Sequence, residues 1–231
     1  MTIDAIHIRK QGASQPLAGF RSMSDAIRWK SEHDLGIDFL IDDRRHPDSP
    51  EVAADRPLVI GMAIRDTLAQ AWNAAQIDRL VAGEVSWIPK QLSAGLERET
   101  ALFAALCLAE AGAAGWRAVE GDYHDPSLYP PVLRTHTLEP QPHSWLVHDS
   151  GAILDLTDRI FDRVPVTILH LEDDRHSAFT EVGEVRDLDI AGRAAGWIDA
   201  LAPSIVPRLR YLGAARMMPP LVAGHDPVPE P

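Results

Sequence analysis

A histidine and an aspartate stand on two neighbouring strand-like segments in the second half of the chain. Residues 143–147 and 152–156 each predict a strand, and the turn-forming residues 149–151 lie between them. A carboxylate beside an imidazole orients the ring and stabilises its protonated form, as nucleophilic hydrolases and transferases require. His143 and Asp155 are therefore the first candidates for a catalytic or binding pair.

The turn between these strands decides whether His143 and Asp155 meet. A loop centred on Asp149 places them directly opposite each other, with β-carbons roughly 4.5–5.5 Å apart. A loop centred on Ser150 leaves them on the same face but diagonal, and a two-residue loop places them on opposite faces. The pattern alone leaves all three arrangements open.

Three short motifs resemble the papain-like cysteine superfamily in its bacterial transglutaminase-like and NlpC/P60-like branches: Gly121-Asp122-Tyr123, His143-Ser144-Trp145 and Asp155-Leu156-Thr157. Phe161 also stands where such sequences often have a phenylalanine. The resemblance covers about residues 91–170. It implies an α+β fold in which a helix packs on an antiparallel sheet, with His143 and Asp155 completing a triad. Trp145, beside His143, is expected at the wall of the cleft, and Tyr123 is a second candidate binding residue.

The chain departs from this family at the nucleophile. The resemblance implies a cysteine at the start of the helix, where the helix dipole and free amides lower the pKa of a thiol. Gly95-Leu96-Glu97 stands there instead. Gln91 precedes Glu97 at the spacing with which many papain-like enzymes place the side chain that helps to form the oxyanion hole. Taken without the family, Glu97 is an ordinary helix-start carboxylate stabilised by the dipole.

Cys107 is the only thiol of the chain and lies further along the same predicted helix. At the rise of an α-helix it is about 15 Å from Glu97. It shares an apolar stripe with Leu102, Phe103 and Leu106, the face that is expected to be buried. A buried thiol in the middle of a helix is normally inert.

These residues support three hypotheses about function. The first is a catalytically degenerate papain-like protein that binds a peptide- or amide-like ligand, or a protein partner, through a cleft that contains His143, Asp155, Glu97 and Gln91. The second is an active cysteine hydrolase or acyltransferase in which Cys107 attacks, His143 accepts the proton and Asp155 orients the ring. The third is a metal-dependent hydrolase with Glu97, His143 and Asp155 as ligands. The first hypothesis needs neither a cofactor nor a metal.

The sequence pattern predicts the helices and strands that must position these residues, and their order is typical of an α+β chain with one main domain. Helices are expected up to about residue 33 and over 58–82, 97–111 and 190–212, the last kinked or divided by its two prolines. Strands are expected over 2–8, 37–41, 116–121, 143–147, 152–156 and 164–170. Residues 42–57 are polar, contain three prolines and predict a surface loop. We divide the chain into an N-terminal α/β extension (1–85), a papain-like core with a C-terminal helix (86–213) and a Pro-rich tail (214–231).

Composition limits the partners of the chain. Its 231 residues include 34 acidic and 22 basic side chains, a net charge of −12, which argues against a general nucleic-acid binder. A single cysteine excludes an intramolecular disulfide and a cysteine-based zinc cluster. No apolar run approaches the roughly 18–20 residues that span a bilayer, and the N-terminus lacks the pattern of a signal peptide. We therefore expect a cytoplasmic protein with neither nucleic-acid nor membrane partners.

Overall fold

The computed structural model describes residues 5–33, 35, 38–46, 49–89, 91–124, 140–157, 166–186 and 188–218. Phe161 and most of the Pro-rich tail, for which the sequence makes predictions, lie outside the described residues. The described part contains helices and two antiparallel sheets, and the predicted α+β class is confirmed.

The first sheet belongs to the N-terminal part of the chain. Its antiparallel strands, in the order β2-β1-β3, are β1 (Ile6–Lys10), β2 (Ala18–Phe20) and β3 (Phe39–Asp43). Ile6 and Ile8 are buried because strand alternation points both toward the core. Strand β2 is absent from the sequence prediction because three residues with a central glycine are too short to show an alternating pattern.

Helix α1 (Met23–Glu32) follows β2 and ends where the sequence predicts. The Oγ of Ser22 accepts a hydrogen bond from the backbone N–H of Asp25, which caps the helix.

Helix α2 (Pro50–Val81) begins well before its predicted start at residue 58, and the predicted loop over 42–57 is wrong from residue 50 onward. The Oγ of Ser49 accepts a hydrogen bond from the N–H of Val52, which caps the helix. Pro50 occupies the first helical position, where a backbone N–H would form no hydrogen bond within the helix, so the proline costs nothing there. Pro57 lies inside the helix. Prolines and acidic residues occur in loops and in the first turns of helices alike, so composition alone does not separate the two.

The second sheet has the strand order β7-β6-β5-β4-β8, and each neighbouring pair is antiparallel. Its strands are β4 (Trp116–Tyr123), β5 (Gln141–His148), β6 (Ile153–Asp155), β7 (Thr167–Leu169) and β8 (Phe179–Glu184). The first four confirm predicted strands. Strand β8 is an edge strand whose side chains are mostly exposed, so it lacks the apolar alternation from which a strand is predicted.

Helix α3 (Glu97–Glu110) packs on β4, β5 and helix α4 (Leu188–Tyr211). Helix α4 continues through Pro203 and Pro207, and a division into two helices is therefore wrong. Both prolines are exposed and lie four residues apart, on one face of the helix. Among the described helices, none has the length and apolarity needed to cross a bilayer.

One apolar core extends through both parts of the chain. It includes Ile6 of the first sheet, Ile64 of α2, Phe103 of α3 and Leu154 of the second sheet. Helix α2 reaches the second sheet at Gly61, where a β-carbon would lie only 2.6 Å from Cγ1 of Val166. The proposed division at residues 85 and 86 stays a prediction.

Candidate functional site

His143 and Asp155 form a direct hydrogen bond on one face of the second sheet. Strands β5 and β6 pair with Leu146 opposite Leu154, which centres the turn on Ser150. The two residues are therefore diagonal, the second of the three arrangements that the sequence allows. The Nε2 of His143 lies 2.8 Å from Oδ2 of Asp155 because diagonal neighbours remain within reach of long side chains.

Asp155 is buried with its charge compensated. It is 2 % exposed, and its Oδ1 accepts hydrogen bonds from the backbone N–H and the hydroxyl of Thr157 at 2.9 and 3.2 Å. Burial alone raises the pKa of Asp155, but the charge of His143 and these hydrogen bonds hold it below its ordinary value. An ionised Asp155 can only accept hydrogen bonds. Neutral His143 therefore carries its proton on Nε2, which leaves Nδ1 as its basic nitrogen.

Aromatic rings pack against His143. The ring of Trp145 stacks with its centroid 6.0 Å from that of the imidazole, and the ring of Tyr123 makes an edge contact at 6.1 Å. Phe179 packs on both Trp145 and Tyr123. Trp145 is 1 % exposed, so the expectation that it forms a wall of the cleft is wrong: Phe179 covers it, and it supports the imidazole from within the protein. The binding role of Tyr123 stays a prediction.

Glu97 and His143 line the same pocket, whose volume is about 520 Å³. Glu97 is the first residue of α3, and its Oε1 accepts a hydrogen bond of 2.9 Å from the backbone N–H of Gly95. Helix α3 packs against β4 and β5, and its first residue lines the pocket together with His143. The structure therefore brings a helix-start carboxylate and an imidazole to one cavity, and the imidazole is bonded through Nε2 to Asp155.

The walls of this pocket have an excess of negative charge. Four acidic side chains and two arginines line it. Arg98 pairs with Glu120, and Arg193 pairs with Glu99 at 2.8 Å. Both arginines are thus engaged by carboxylates, and the pocket favours a neutral or cationic ligand over an anion.

Gln91 lies next to the Asp155 end of the pair. Its Nε2 donates a hydrogen bond of 3.1 Å to the backbone carbonyl of Thr157, the residue that also binds Asp155. The segment before α3 is thereby tied to the end of β6. Gln91 does not line the pocket of Glu97 and His143, and a role in an oxyanion hole stays a prediction.

Cys107 lies in the core and not at the pocket. It is 0 % exposed, belongs to the main apolar cluster and does not line the cavity of Glu97 and His143. Burial, with a smaller contribution from Glu110, raises the pKa of the Cys107 thiol to about 12. The structure therefore does not assemble a triad of Cys107, His143 and Asp155.

The described residues contain no group of three or more histidine, cysteine, aspartate and glutamate side chains that is placed to hold a metal ion. Asp155 uses one oxygen for His143 and the other for Thr157. Glu97, His143 and Asp155 thus share one region of the protein without forming a ligand set.

Sequence reasoning missed Phe179 beside the pair and the structural reason for Gly121. Phe179 covers the Trp145 ring but lies on β8, for which no strand is predicted. Gly121 admits β8 to β4, because a β-carbon there would collide with the backbone oxygen of Thr180. Sequence reasoning names Gly121 only as part of the Gly121-Asp122-Tyr123 motif. A glycine alone does not predict which strand packs against it.

The chain matches no protein-family model, no curated protein and no solved structure.

Proposed function

We propose that this protein is a catalytically degenerate member of the papain-like superfamily, in its transglutaminase-like or NlpC/P60-like branch, and that it binds a peptide- or amide-like ligand without cleaving it. The observation that carries the proposal is that Glu97, at the first position of α3, and His143, bonded to Asp155, line one pocket. The ligand is a small molecule or an exposed segment of a protein partner.

The order of the elements supports this proposal. A helix whose first residue faces the site comes before the strands that carry the histidine and the aspartate, as the resemblance implies for a cysteine triad. The bond between Nε2 of His143 and Asp155 leaves Nδ1 as the basic nitrogen, and in a triad the imidazole nitrogen that is not bonded to the acidic residue activates the nucleophile.

The residue at the nucleophile position explains why we expect binding and not cleavage. A carboxylate is a weak nucleophile toward an amide, and Glu97 already accepts a hydrogen bond from Gly95. The only thiol of the chain, Cys107, is buried in the core. Peptide-like ligands suit the pocket because their amide N–H groups can donate to its carboxylates, and its negative charge favours uncharged or basic side chains.

Restoring the thiol tests the relation to cysteine enzymes. The double variant Glu97→Cys, Cys107→Ala has a single thiol, at the start of α3. If the site is a former triad, His143 and the helix dipole lower the pKa of this thiol, and iodoacetamide at neutral pH modifies it roughly tenfold faster than a free cysteine. Adding His143→Ala to the same background should remove most of the acceleration. A thiol that reacts like free cysteine in both backgrounds contradicts the proposal.

Binding is tested on the unaltered protein. A mixture of short peptides with capped termini is added while the imidazole signals of His143 are followed by NMR, with His143→Ala identifying those signals. We expect saturable shifts and no cleavage products by mass spectrometry. Unchanged signals at millimolar peptide contradict ligand binding, and new peptide termini contradict the loss of catalysis.

A further inference from the structure

A second pocket, with a volume of about 580 Å³, lies between the first sheet, helices α1 and α2, and the C-terminal end of α4. It shares no lining residue with the pocket of Glu97 and His143. Part of its wall is apolar: Ile27, Met62 and Ala63 are buried core residues, and Phe39 and Ile41 are half-buried. The cavity thus offers an apolar surface that a ligand of moderate size can cover.

The charged residues around this second pocket are predominantly basic. Six cationic and four acidic side chains line it, in a chain whose net charge is −12. The acidic side chains are already engaged. Asp66 pairs with Lys30 at 2.9 Å, and Arg45 pairs with Asp43 and Asp55 at 2.6 and 2.7 Å. Asp42 lies 3.2 Å from Arg44 at the same edge of the sheet.

Two further arginines that line the second pocket have no acidic partner among the described residues. Arg56 donates a hydrogen bond of 3.0 Å to the backbone carbonyl of Arg216, and Arg208 is exposed on the last turn of α4. The guanidinium groups of Arg56 and Arg216 both flank Gly213, at 3.3 and 3.6 Å from its β-carbon position. The guanidinium groups of Arg56 and Arg216 therefore lie close together beside Gly213.

A third lining residue has an unused donor. The Nε of Arg9 is buried and makes no hydrogen bond, although it lies 3.8 Å from Asp42. Buried donors without an acceptor are uncommon in folded proteins because they lose their hydration without compensation. Arg9 therefore adds a further positive charge to the lining of this pocket, with only a long contact to Asp42.

We propose that the second pocket binds an amphipathic anion, a carboxylate or phosphate headgroup joined to an apolar chain. The headgroup interacts with Arg208 and Arg56, which have no acidic partner in the described structure, and the chain covers the apolar wall at Ile27 and Met62. Planar guanidinium groups match the oxygens of both headgroups, so the two share one recognition chemistry.

Titration calorimetry on the full chain tests the proposal with four probes. Decanoate and decyl phosphate carry the two headgroups on the same chain, inorganic phosphate carries charge alone, and decyltrimethylammonium carries the chain with the opposite charge. We expect the two amphipathic anions to bind and the other two to bind at least roughly tenfold more weakly. The tighter of the two anions identifies the headgroup. Failure of both anions to bind, or equal binding of the cation, overturns the proposal.

Variants of Arg208 locate the binding site. Arg208→Glu reverses the charge at an exposed position, so we expect the fold to persist and the affinity for the better anion to fall roughly tenfold or more. Arg208→Lys should retain most of the affinity. Arg186→Glu is the matched control, since Arg186 is exposed and does not line the second pocket. Equal loss in Arg208→Glu and Arg186→Glu, or no loss in either, contradicts the proposed site; Arg56→Gln provides a second variant if Arg208→Glu lowers the melting temperature.

Discussion

The Nε2 of His143 and the Oδ2 of Asp155 are 2.8 Å apart although the two residues are diagonal, not opposite, in the pairing of β5 and β6. Continuing the register of that pair places Trp145 opposite Asp155. The indole stacks on the imidazole and is covered by Phe179, and the imidazole reaches across to the carboxylate. The diagonal register therefore does not prevent the hydrogen bond between the pocket-lining histidine and the aspartate.

Removing the carboxylate of Asp155 should destabilise the fold. Asp155→Ala leaves the buried His143 and two donors of Thr157 without their acceptor, and we expect the free energy of unfolding to fall by about 3 kcal/mol. Urea unfolding measures the change. Asp122→Ala is the matched control, because Asp122 is a half-buried pocket residue that forms no ion pair with the described residues, and its effect should stay within about 0.5 kcal/mol. Similar losses in the two variants would show that the pair is not specially stabilising.

The carboxylate of Asp155 also makes the free energy of unfolding depend on pH in the acidic range. The pKa of Asp155 in the folded protein lies below its ordinary value of 3.8, so the unfolded chain binds more protons in this range. Its stabilising contribution is therefore fully present above the ordinary value and is lost as the pH falls through the lower folded value. Urea midpoints measured from neutral pH down to roughly pH 3 should fall less steeply for Asp155→Asn than for the unaltered protein. Identical slopes would contradict the lowered pKa.

Cys107 should resist alkylation in the folded protein. Its thiol is buried and its pKa is raised to about 12, so the thiolate is on the order of a thousandfold rarer at neutral pH than for a free cysteine. Iodoacetamide labelling followed by mass spectrometry measures the rate, and complete labelling in concentrated guanidinium is the control. Fast labelling of the folded protein would instead support an active cysteine enzyme.

Gly121 should not tolerate a side chain. A β-carbon at this position would collide with the backbone oxygen of Thr180 and lie 2.8 Å from the ring of Trp145, so Gly121→Ala should cost about 2 kcal/mol or more. Gly183→Ala is the matched control, since Gly183 lies on the partner strand and a β-carbon there meets nothing within 4 Å. Chemical denaturation compares the two. Equal stability of both variants would contradict the close approach of β8 to β4.

Local patterns account for what the sequence could predict. The start of α3 at Glu97 and the two strands that carry His143 and Asp155 follow from periodicity and turn-forming residues, which depend on neighbours in the chain. The burial of Trp145 could not be predicted, because it depends on Phe179 from an edge strand with no apolar alternation. The early start of α2 was missed because its first turns are rich in prolines and charges.

Gly61 has no side chain, and helix α2 approaches the second sheet closely at this position. Cγ1 of Val166 and Cδ1 of Leu154 lie 2.6 and 3.2 Å from the point where a side chain would begin. Helix α2 and the strands beside Asp155 are therefore complementary in shape at Gly61. If recombination replaced either α2 or these strands with a segment from another protein, the new segment would have to fit the same close contact at Gly61. We therefore expect the two segments to be inherited together.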